Sequence, residues 1–190
     1  GGGSGWVLLT FQPREGTLIN QWAADHTHAL AGGTPILALD MYEHAYHLDY
    51  GAAAAAYVDA FMDNIDWAGV YARYQAAVHA ASEGFGAAQD EVDGALLLDV
   101  RRAGVFDSAA SMIPGARRRD PASVAQWSAE LPRDREVIVY CVYGHEVGRA
   151  TALRLRAAGL NARYLRGGID GWQTAGRPLQ AGPDQHQAGR

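Results

Sequence analysis

Residues 6–11 run apolar and β-favouring, a Pro- and Gly-bearing turn at residues 12–16 interrupts them, and a second apolar run follows over residues 17–24. Two such runs flanking a turn predict a β-hairpin. A polar, glycine-bearing loop (25–33) leads to a third apolar run, 35–39, which ends on Asp40. Beyond it the period lengthens, and helices are predicted over 43–50, 57–64 and 67–82, with Asp66 placed to cap the last. Glu83-Gly84-Phe85-Gly86 then breaks the helical pattern, which predicts a first domain over 1–83 and a short linker at 84–86.

Past that break, strands and helices alternate. The continuous apolar runs 95–100 and 136–140 suit strands buried on both faces, and 162–165 reads as a shorter one. Helical patterns cover 121–131 and 146–158, the latter stopped by Gly159, and a last helical turn fits 170–175. This alternation predicts an α/β domain over 87–180, with a parallel sheet covered on both faces. Residues 180–190 lack apolar content and are expected to be disordered.

Composition narrows the function classes. The 190 residues are 48% hydrophobic and 19% charged, enough for two small cores, and the net charge of -5 gives no basic field for nucleic acid or an anionic membrane. Only Arg117, Arg118 and Arg119 form a basic patch. A single cysteine excludes an internal disulfide, so a reducing cytoplasm is the expected location. No run approaches the roughly 20 apolar residues of a membrane span, and no signal peptide is recognisable. The start, Gly1-Gly2-Gly3-Ser4-Gly5 with no methionine, suggests a chain cut from something longer.

The cysteine is Cys141. It follows the strand residues Val137-Ile138-Val139-Tyr140 and precedes a helix, at the carboxyl end of a parallel strand, where α/β sheets place their chemistry. A short strand-to-helix loop can turn its N–H groups around a thiolate or an oxyanion. A lone buried cysteine is otherwise a small core hydrophobe.

The flanking motifs resemble the rhodanese family: Leu97-Leu98-Asp99-Val100-Arg101, Met112-Ile113-Pro114-Gly115-Ala116, and Leu165-Arg166-Gly167-Gly168-Ile169-Asp170-Gly171-Trp172. The resemblance implies a three-layer α/β fold, with Cys141 as a nucleophile that accepts sulfane sulfur from a small donor and passes it to a thiol acceptor. Val142, Tyr143, Gly144, His145, Glu146 and Val147 would form the substrate loop. Many family members carry arginine or lysine in this loop, whereas here Glu146 would repel a dianion such as thiosulfate and His145, if protonated, would offset it. Related cysteine phosphatases need an arginine where Val147 stands. The loop, with Arg119-Asp120-Pro121 upstream, is similar to rhodanese domains associated with bacterial chromate resistance.

In the first half, Asp40 and His44 supply a carboxylate and an imidazole, a pair that suits iron or manganese. As a bare spacing it is far more often a cap plus a surface histidine. Its flanks, Asp40-Met41-Tyr42-Glu43-His44-Ala45-Tyr46-His47-Leu48-Asp49-Tyr50 with Gly3-Ser4-Gly5-Trp6-Val7 upstream, resemble iron/manganese superoxide dismutases.

That resemblance implies the α+β carboxy-terminal domain of such an enzyme, with Asp40 and His44 as two ligands of an iron or manganese ion. Two further histidine ligands would come from an amino-terminal helical hairpin that is not in this chain. Glu43 would reach the partner's copy of His44 across a dimer interface shared by Tyr46, and His26 would bond the metal-bound solvent. His47 and His79 read as solvated helix residues. The run Gly51-Ala52-Ala53-Ala54-Ala55-Ala56 replaces basic residues that would draw superoxide inward, and Tyr42 stands where tryptophan is usual.

Together these readings give part of a two-function oxidative-stress protein, homodimeric through its first domain, dismuting superoxide at the metal and relaying sulfur through Cys141. The rival reading is a non-catalytic dimerisation platform carrying a rhodanese binding or sensing module, with a link to chromate stress.

Overall fold

The computed structural model describes residues 4–183. Apart from the turn at 14–16, they form two compact units, the first ending at Ala77 and the second beginning at Val78.

In the first unit, β1 (Trp6–Gln12), β2 (Thr17–Ala23) and β3 (Thr34–Asp40) make an antiparallel sheet of order β2-β1-β3. The hairpin register sets Trp6 opposite both Ala23 and Asp40, so the start of β1 and the end of β3 meet at one edge of the sheet. On the inner face Phe11 is fully buried and meets Tyr74 edge-on, with ring centroids 5.8 Å apart.

The expected helix over 43–50 is two pieces, a 3-10 turn (Glu43–Ala45) and the single-turn α1 (His47–Tyr50). They separate at Tyr46, whose φ of -140° is not helical. The next helix, α2 (Ala54–Asp63), starts three residues before the predicted position 57, because alanine is the strongest helix former. Helix α3 (Trp67–Ser82) begins at the expected cap, where Asp66 Oδ1 accepts a bond from Gly69 N at 3.0 Å.

The second unit holds a five-stranded parallel sheet of order β4-β9-β8-β5-β7, built from β4 (Gly86–Ala87), β5 (Leu96–Asp99), β7 (Arg117–Arg118), β8 (Val137–Tyr140) and β9 (Ala162–Leu165). Four helices complete it: α4 (Ala103–Asp107), α5 (Val124–Trp127), α6 (Glu146–Ala157) and α7 (Gly168–Thr174).

Every residue of β8 is buried. Val137 and Val139 join one apolar cluster with Trp127 and Leu155, while Ile138 and Tyr140 join another with Ile169 and Trp172. That is the three-layer arrangement a continuous apolar run implies.

Several short elements depart from the sequence reading. The predicted helix over 121–131 is 3-10 at both ends, with only α5 between. Strand β10 (Gln180–Ala181) pairs with β6 (Ser111–Met112) inside the stretch expected to be disordered. The rest of that expectation, residues 184–190, lies outside the described residues.

Two of the three patch arginines are tied down. Arg118 lies over the Phe106 ring at 4.9 Å, and Arg119 pairs with Glu130 at 3.2 Å. Among the described residues no helix is long and apolar enough to cross a membrane.

Candidate functional site

The second unit places Cys141 directly after β8 and five residues before α6 opens at Glu146. Its loop is held by backbone alone on one side. Ile169 N donates to Cys141 O and Asp170 N to Val142 O, both at 3.0 Å, so the first turn of α7 fastens the loop carbonyls.

The two segments interlock so closely that only glycine fits between them. A β-carbon on Gly168 (φ 58°) would lie 2.4 Å from Val142 O, and one on Gly144 (φ 70°) would lie 2.7 Å from Leu165 O. Gly144 and Gly168 therefore have a physical task, to let the α7 turn pass backbone-to-backbone against the cysteine loop.

Cys141 is buried, with 6% of the residue exposed. Sγ faces α6, since a β-carbon on Gly148 would sit 3.4 Å from it. Beneath it, Tyr140 receives a bond from Ile113 N at 3.2 Å. Burial first, and then the Asp99 carboxylate, hold the Tyr140 phenol far above its ordinary value, so it stays protonated and serves as no base. Asp99 is itself fully buried and takes a fork from Arg101, whose Nε is 3.0 Å from both carboxylate oxygens and whose Nη2 also reaches Ser111 O.

The remaining loop residues divide between inside and outside. Tyr143 is 56% exposed and stacks obliquely with His145 at 5.7 Å, while Glu146 is buried and pairs with Arg102 at 3.7 Å. Val147 packs against the core cluster behind the sheet rather than into the loop.

Two groups escaped the sequence reading. Arg149 bonds Gly144 O at 3.0 Å and pairs with Glu83 at 3.3 Å. His79, expected to be solvated, is half-buried with its ring 5.9 Å from that of His145. No local pattern signals either contact, because each joins α3 or its end to residues more than sixty positions later.

In the first unit, Asp40 Oδ1 is fixed by Tyr42 N at 2.9 Å, and Oδ2 faces His44 Nε2 at 3.3 Å. That separation suits two ligands sharing one ion with bonds of about 2.1 Å. Trp6 Nε1 donates to His26 Nδ1 at 2.9 Å. An accepting Nδ1 leaves the proton of a neutral His26 on Nε2, free to donate to an anion or water.

His26, Tyr42 and His44 follow one another as neighbouring rings at 5.2 and 5.6 Å. Glu43 is exposed, and Tyr46 stacks on Tyr57 at 5.1 Å. Among the described residues no group of three or more His, Cys, Asp or Glu side chains could enclose an ion. Two donors alone would leave iron or manganese mostly water-ligated and weakly held.

Residues 1–73 match the family model of the iron/manganese superoxide dismutase C-terminal domain, and residues 85–175 match that of the rhodanese-like domain. This chain joins those two domains.

Its dismutase domain is 73% identical over 78 residues to an iron superoxide dismutase of Cupriavidus metallidurans, covering 41% of this chain and 40% of that protein. It is 45% identical over 75 residues to a manganese superoxide dismutase of Halobacterium salinarum, covering 39% and 38%. The chain thus spans about two fifths of the length of these curated relatives. A rhodanese-related protein of Thermoplasma volcanium is similar over 50% of this chain and 96% of its own, at a TM-score of 0.45 and 22% identity. Residues 74–84, which include His79 and Glu83, fall between the two matched segments.

Proposed function

We propose that the rhodanese domain is a sulfur carrier working through Cys141, and that the dismutase domain supplies Asp40 and His44 to an iron or manganese site completed by ligands from elsewhere. The observation that carries the first part is the glycine-locked loop, which holds a lone thiol between the end of β8 and the start of a twelve-residue helix. In the step we propose, the Cys141 thiolate attacks the outer sulfur of a low-molecular-weight persulfide, RS–SH. The donor S–S bond breaks, RS⁻ leaves and takes up a proton from water, and Cys141 holds the sulfane sulfur as Cys–S–SH. An acceptor thiolate then attacks that outer sulfur, forming its own persulfide and returning Cys141 as thiolate. The helix N-terminus and loop N–H groups stabilise the anion at each stage.

The second part rests on the 3.3 Å approach of Asp40 and His44 and on the match to both iron and manganese relatives. A bound ion would supply one-electron redox chemistry toward superoxide. This chain's own residues would hold it through Oδ2 and Nε2, and His26 Nε2–H would face an anion or solvent. The wider setting is a cytoplasmic oxidative-stress protein that dimerises through the motif containing Glu43 and Tyr46.

The low exposure of Cys141 favours a second reading, a non-catalytic binding or sensing module. One experiment separates the two. Purified protein is incubated with a persulfide donor, and Cys141 is followed by intact mass and by cyanide-released thiocyanate. The carrier reading expects one added sulfur, absent in Cys141→Ser. No added sulfur in the folded wild type sinks the carrier reading and leaves the binding module.

A further inference from the structure

The Cys141 loop has a wall that lies outside both family matches. Within the second unit, the end of α3 and the turn after it bring His79, Ser82 and Glu83 to the loop. Arg149 is the tie: it donates from Nε to Gly144 O at 3.0 Å and from Nη1 to Ser82 Oγ and Glu83 Oε2 at 3.3 Å, with its plane 4.3 Å over the Tyr164 ring. At the rim, His79, His145 and Tyr143 form a row of rings spaced 5.9 and 5.7 Å.

The charged groups facing His79 are Arg149 and Glu146 from α6, His145 from its cap, and Glu83 from the following turn. Of these, Arg149 pairs with Glu83, and Glu146 pairs with Arg102. His79 is then a group at this rim whose charge changes on acidification.

We propose that the end of α3 is a specificity-determining wall of the sulfur site, in which His79, acting with His145, sets how well an anionic sulfur donor of the thiosulfate class competes with a neutral persulfide. This inference rests on the carrier reading of Cys141. Burial first, then Arg149 and His145, hold the His79 imidazole below its usual range. The wall is therefore close to neutral at pH 7 and becomes cationic on acidification, with His79 protonating below the ordinary histidine range. With His79 neutral the Glu146 carboxylate disfavours anionic donors, whereas a cationic wall draws them in.

The test uses iodoacetate and iodoacetamide, an anionic and a neutral reagent that consume the same Cys141 thiolate. The ratio of their rates removes the thiol's own ionisation and leaves the charge around it. From pH 8 to 5 the wild-type ratio should rise about two- to fourfold as His79 gains a proton. In His79→Phe, which keeps a ring, and in His79→Asn, which keeps polarity, that rise should disappear.

Ratios that superpose on the wild type across the whole range in both variants would overturn the proposal. If neither reagent modifies Cys141 in the folded wild type, the carrier reading itself fails, a result distinct from an unchanged ratio.

Discussion

At the scale of single residues, the cysteine loop is governed by close backbone approach. Gly144→Ala puts a β-carbon 2.7 Å from Leu165 O at a φ of 70°, so left-handed strain and overpacking add. The expected cost is roughly 2–4 kcal/mol, read as a lowered denaturation midpoint. Asp99→Ala leaves the Arg101 guanidinium buried without its carboxylate, and a loss of about 3–5 kcal/mol is expected in the same measurement.

Glu146 acts on substrate choice instead. Its carboxylate is buried beside the loop and pairs with an Arg102 that is 64% exposed. Glu146→Gln should therefore raise kcat/KM for thiosulfate by roughly three- to tenfold relative to a neutral persulfide, because only the dianion feels the full change. Equal gains for both donors would show that Glu146 acts by shape rather than charge.

At the scale of elements, α3 links pH to stability. His79 protonates less readily folded than unfolded, so between its folded value and the unfolded value near 6.5 the unfolded chain binds more protons. Stability contributed this way is present above the unfolded value and is lost as pH falls through that window. His79→Phe should flatten the acid limb of a melting-temperature profile below about pH 6.5, and an unchanged limb would place the acid sensitivity elsewhere.

Legibility also follows elements. The strands beginning at Trp6, Leu96, Val137 and Ala162 were readable, because runs of apolar β-formers have one stable use. Helix α4, five residues long, and the two-residue strands β4, β6 and β7 were not, since too few positions carry a period and tertiary pairing makes them. The loop from Cys141 to Glu146 was readable from its place between strand and helix. The Arg149 and His79 contacts were not, because only the folded chain brings α3 to that loop.

At the scale of the whole molecule, the two domains make different demands on their surroundings. With Asp40 and His44 as the paired donors in the first unit, the chain by itself should retain iron or manganese at well below one ion per chain after desalting. Stoichiometric metal that is lost in His44→Ala would mean that further residues complete the shell. Association through the Glu43–Tyr46 motif should give a dimer at tens of micromolar, the range in which a roughly -6 to -7 kcal/mol interface is populated, and a monomer by sedimentation would count against it.

The burial of β8 on both faces reaches beyond the site it positions. Its four amides sit in the middle of the parallel sheet, under two separate apolar clusters. In deuterated water they should be the last of the second unit to exchange, and only through its global opening, whereas amides of β4, β6 and β10 should exchange through local fraying within a much shorter time. Cys141 would then hang from the most slowly breathing strand of its domain, a fixed mount for the loop that carries it.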